Sequence, residues 1–132
     1  MTDQDFLPPL REILSTRAGF GHREHLELAW TYLANNSIEG ARRQMASAIR
    51  HVADIHGAPD RYHDTITRSW VILVATHRSQ DIVATFDQFI ARFPALLDRH
   101  LLDHHYSAEL LRSAPARMHW TTPDLRPLPN VA

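Results

Sequence analysis

Two short strings group residue types and spacings able to do chemistry: His22-Arg23-Glu24-His25 and Tyr62-His63-Asp64-Thr65-Ile66-Thr67. Histidines three apart on a helix share one face, and a third imidazole from a neighbouring helix completes a facial set around one ion. Neutral imidazole nitrogens suit Zn, Cu, Fe or Ni better than Mg or Ca. Three of them leave coordination positions free for water or substrate. The chain has ten His and no Cys, which excludes thiolate ligands, disulfides and cysteine nucleophiles. All fourteen of its basic residues are Arg. Without Lys there is no Schiff-base chemistry and no phosphate-loop lysine.

What matters for each histidine is its direction. On a helical wheel, His22 and His25 fall within the apolar face formed by Leu26, Ala29, Tyr32 and Leu33, while Arg23, Glu24 and Glu27 fall on the other side. The next helix buries Ile38, Ala41, Met45, Ala48, Ile49, Val52 and Ile55, with His56 on the same face. In the one after it, His63 and Thr67 sit among Ile66, Trp70, Leu73 and Val74, and His77 joins that face at the far end. Glu24 and Asp64 are both expected to point outward, which argues against a di-iron bundle with its several inward carboxylates.

The elements that must position these residues follow from helical periodicity and its punctuation. A first helix is expected over Leu10–Arg17, after Pro8-Pro9, and a second over Gly21–Ala34. A third, Ile38–His56, is capped by Ser37 and ended by Gly57. A fourth opens at Pro59-Asp60 and reaches His77, and a fifth, Asp81–Arg92, is capped by Ser79. An apolar stretch, Ala95–Leu102, follows, and then short helical turns capped by Ser107 and Ser113. Strand alternation is absent. The expected fold is all-α: a single-domain antiparallel helical bundle spanning 1–132, with short C-terminal helices and an extended Pro-rich tail. Short connections make the second, third and fourth helices alternate in direction. His22, His25, His56 and His63 then meet at one end of the bundle, and His77 is left at the other.

Composition sets the outer bounds. A formal charge of −1 across 132 residues gives no general attraction for nucleic acid or anionic membranes. The longest apolar run, near Trp70–Ala75, is too short to span a bilayer, and the acidic, Pro-containing start does not resemble a signal peptide. A cytoplasmic location is expected.

The motifs also carry a resemblance. His22-x-x-His25-Leu-x-x-Ala-Trp30, Tyr62-His63-x-Thr65-Ile-Thr67, and Tyr106-Ser107-x-x-x-Leu111-x-Ser113-x-x-Ala116-Arg117 followed by Pro123-Asp124 resemble the pattern of a family of small bacterial helical proteins without an assigned activity. The resemblance covers most of the chain. It implies a shared fold and marks His22, His25, His63, Thr65 and Thr67 as motif positions, but it implies no reaction.

The functional expectation is a small metal-binding helical protein, a metalloenzyme acting on a small molecule. His22, His25 and His63 would hold one transition-metal ion, with His56 as a fourth ligand or neighbour, and Tyr62, Thr67 and Trp70 would contact substrate. A metal-free acid–base or ligand pocket, or a protein-interaction module with structural histidines, is the alternative. The expected partner is a small-molecule ligand or substrate, with no nucleic acid and no membrane, and a homodimer is left open.

Overall fold

A computed structural model describes residues 6–129, and among them there are seven α-helices, several 3-10 turns and no strand. Helices α2 (His22–Asn35), α3 (Ile38–Ile55) and α4 (Asp64–Gln80) pack against one another pairwise, and α1 (Leu7–Thr16) lies against α2. Helices α5 (Phe86–Arg92), α6 (Ala108–Leu111) and α7 (Ala114–Met118) are shorter, and α7 packs on α4. Leu26, Leu28, Ala29 and Tyr32 of α2 meet Ala41, Met45 and Ala48 of α3 and Trp70, Val71, Leu73 and Val74 of α4 in one buried apolar cluster. Removing this surface from water is the main favourable term in folding.

The helix ends differ from expectation in three instructive places. α1 begins at Leu7, before the proline pair, because prolines in a first turn give up N–H groups that would have no intrahelical partner. Pro59–Arg61 is an isolated 3-10 turn, Tyr62 is extended, and α4 begins only at Asp64. The N-cap is His63, whose Nδ1 accepts the Ile66 N–H at 3.1 Å. Ser79 is not the start of a new helix: its hydroxyl donates back to the Thr76 carbonyl at 2.8 Å and α4 continues to Gln80. Thr85 caps α5 instead, in a reciprocal arrangement with Gln88. The expected caps Ser37, Ser107 and Ser113 each accept the N–H three residues on. Gly57 turns the chain after α3 at a φ of 65°, a conformation that favours glycine.

The stretch after α5 folds as two 3-10 turns, Pro94–Leu97 and Arg99–His104, which bury Leu96 and Leu102. From 120 to 129 the chain is coil. It is held by Asp124 on the Ser107 amide and hydroxyl and by His105 against the carbonyls of Arg126 and Pro127.

Thr65 is a central tie for this C-terminal part. It is fully buried, and its Oγ1 lies 2.6 Å from the Ala116 carbonyl and 2.9 Å from that of His119 while accepting the Thr121 N–H at 3.1 Å. Thr65→Val keeps the shape but orphans these groups, at an expected cost of about 2 kcal/mol. Thr65→Ser retains the hydroxyl and should recover most of that in urea denaturation. A larger loss in Thr65→Ser than in Thr65→Val would show that the methyl, and not the hydroxyl, holds the segment.

Candidate ligand cleft at the histidine end of the bundle

Three motif histidines sit where α2 and α4 begin, and each is held differently. His63 is spent on structure. Its Nδ1 accepts from Ile66, so its Nε2 carries the proton and donates to the Leu111 carbonyl at 2.7 Å. Both ring nitrogens are engaged, and the side chain pins α6 to the start of α4. His22 donates from Nε2 to the Leu96 carbonyl at 2.9 Å and meets the Trp70 ring edge-on at 4.5 Å between centroids.

His25 is the exception. Its Nε2 is buried and has no hydrogen-bond partner. Burial, with a smaller contribution from His22, pushes its pKa down to about 4. Burial also lowers His22 and His63, opposed in each by the carbonyl its Nε2 meets. All three imidazoles are therefore neutral at pH 7.

His25 lines two clefts. One, of about 500 Å³, is bounded by His22, Ile66, Trp70, Arg99, His100 and Asp103. The other, of about 400 Å³, is bounded by Phe20, Ile49, Val52, His56, Arg61 and Tyr62. Gly21 also belongs to both. The volumes are those of small-molecule sites, and the walls mix apolar and aromatic surface with a few polar groups.

Several expected positions are corrected here. His56 is exposed: it is the C-cap of α3, beyond the last turn covered by a neighbour, and Ile55 beside it is 57% exposed. Asp64 points inward and is 5% exposed. It accepts from Arg68 Nε at 3.1 Å and from the Tyr62 hydroxyl, and Arg50 lies 3.7 Å away and stacks on the Tyr62 ring. Burial and the Asp64 carboxylate raise the Tyr62 pKa. Thr67 is buried and lines neither cleft, whereas Trp70 and Tyr62 line one each.

The structure brings His22, His25 and Trp70 together. It adds His100 and Asp103, a pair in contact at 3.3 Å, neither of them among the residues expected at the site. Among the described residues no group of three or more His, Asp or Glu is placed to hold one metal ion. Binding through His22, His25 and His63 together would require His63 to give up its cap or its bond to Leu111.

No helix among the described residues is long and apolar enough to cross a membrane. No family model, no curated protein and no solved structure matches the chain.

Proposed function

We propose that the protein binds a small molecule in the cleft between the starts of α2 and α4, with His25 as the recognition group. The observation that carries this is the buried, unpartnered Nε2 of a neutral imidazole lining two clefts. A buried polar atom without a partner costs free energy, and most such atoms in folded proteins have one. A ligand that offers a hydrogen bond recovers that cost when a small turn of the ring brings Nε2 to the cleft. The edge of Trp70, Ile66 and Leu102 supply apolar surface, so the ligand class is a small flat apolar molecule with one hydrogen-bonding heteroatom.

Phenol and toluene are the probes, because they differ by one hydroxyl. Phenol is expected to bind about tenfold more tightly than toluene, the worth of one well-placed hydrogen bond. In His25→Leu the two should bind alike. A preference for phenol that survives His25→Leu, or no binding of either, would overturn the proposal.

A second reading keeps the metal ion. It is favoured by His22, His25, His100 and Asp103 lining one cleft. The ion would take His25 Nε2 together with the exposed His100–Asp103 pair after a local rearrangement, and the protein would then act as a metalloenzyme. Titration with Zn(II) separates the two. One equivalent bound by the wild type and lost in both His25→Leu and His100→Ala supports the metal, and uptake unchanged in both variants rules it out.

A further inference from the structure

At the opposite end of α2 from His25 lies a cleft of about 480 Å³, between the end of α2, the start of α3 and the end of α4. Leu33, Ile38 and Ala75 give it apolar walls, and Asn36, Glu39 and Arg78 give it polar ones. Two of its polar groups are unsatisfied. Arg78 Nε is buried without a hydrogen-bond partner, and among the described residues Arg78 has no ion pair. Asn36 Oδ1 is likewise buried without a partner, although the Nδ2 of the same side chain donates to the Tyr32 carbonyl and to Gln44 Oε1, each at 2.9 Å. Those two bonds fix the orientation of the amide, so the free atom is an acceptor.

We infer that this cleft is a second ligand site, for a small zwitterion of the α-amino-acid type with an apolar side chain. An unpaired, partly buried guanidinium calls for an anion, and a carboxylate matches its fork of donors. An unpaired amide oxygen calls for a donor, and an ammonium on the neighbouring carbon supplies one. Glu39 lines the same cleft and adds negative charge to it, although it also meets Arg42 at 3.3 Å and Arg43 at 3.9 Å. Leu33, Ile38 and Ala75 then receive the side chain. This site stands independently of the His25 cleft, since the two have no lining residue in common.

The test is an amide NMR titration of the full chain with L-leucine. Two analogues each lack one charge: L-leucinamide lacks the carboxylate, and 4-methylpentanoate lacks the ammonium. L-leucine should shift Ala75, Ser79 and the Asn36 side-chain amide, saturating near about 1 mM, and each analogue should bind about tenfold more weakly. Arg78→Gln should abolish the response. Ser79→Trp, an exposed position on the cleft rim, should block the cleft with little effect on the fold, and so serves if Arg78→Gln is unstable. Equal binding of leucinamide, shifts confined to other parts of the protein, or binding that survives Ser79→Trp would overturn the inference.

Discussion

Lowering the pH from 7 to 4 is expected to remove about 3 kcal/mol of stability through His25 alone. The folded pKa of this imidazole is about 4, against an ordinary value of 6.5, and each unit of difference corresponds to about 1.4 kcal/mol. The sign follows from proton uptake. Between pH 6.5 and 4 the unfolded chain binds a proton that the folded chain refuses, so acid favours unfolding. The stabilisation is complete above about pH 6.5 and is lost as pH falls toward 4. His22 and His63 are lowered as well and add to the same window. In His25→Leu the imidazole is gone, and the slope of stability against pH below 6.5 should flatten by about the His25 share. Urea unfolding of the two proteins at pH 7, 6, 5 and 4 measures this. Parallel pH profiles would mean that Nε2 is hydrated or paired.

The second large effect is expected at His63. His63→Ala removes an N-cap, leaves the Ile66 N–H without its acceptor and breaks the tie to Leu111. A cap and a buried hydrogen bond lost together should cost about 3 kcal/mol. His77 is the comparison. It lies at the other end of α4, its Nδ1 donates within its own helix to the Leu73 carbonyl at 2.9 Å, and its ring meets Phe93 edge-on. His77→Ala should cost about 1 kcal/mol. His63→Asn, which can still cap α4 but cannot reach Leu111, should fall between. If His63 were a metal ligand with no structural role, His63→Ala would leave the metal-free protein as stable as His77→Ala does.

The all-α architecture was legible because its signals are local. The apolar stripe of α2 and α3, the Ser37 cap and the Gly57 stop all act within a few residues of the chain. The start of α4 was not. Pro59-Asp60 has the composition of a helix start, and an imidazole cap has no comparable sequence preference, so the sequence pattern points to a start ahead of the true one at Asp64. The inward turn of Asp64 was not legible either, because it depends on Arg68, Tyr62 and Arg50 arriving together around the carboxylate.

His25 was legible as an inward residue, since direction follows from helical phase. Its lack of a partner was not, because that depends on which atoms from distant segments approach the ring. For the same reason the sequence could not separate His63, satisfied by Leu111 some fifty residues away, from a ligand. His100 and Asp103 reach the cleft only because two 3-10 turns fold the chain back under α2 and α4, and no periodicity announces that.

The most direct measurement is the ¹⁵N chemical shift of His25 Nε2, taken at pH 7 with and without saturating phenol. A neutral, unpartnered nitrogen in the free protein that shifts on phenol addition, while His63 Nε2 does not move, is the predicted result. An Nε2 resonance indifferent to phenol, or one already shifted by a bond in the free protein, would contradict the assignment of His25 as the recognition group.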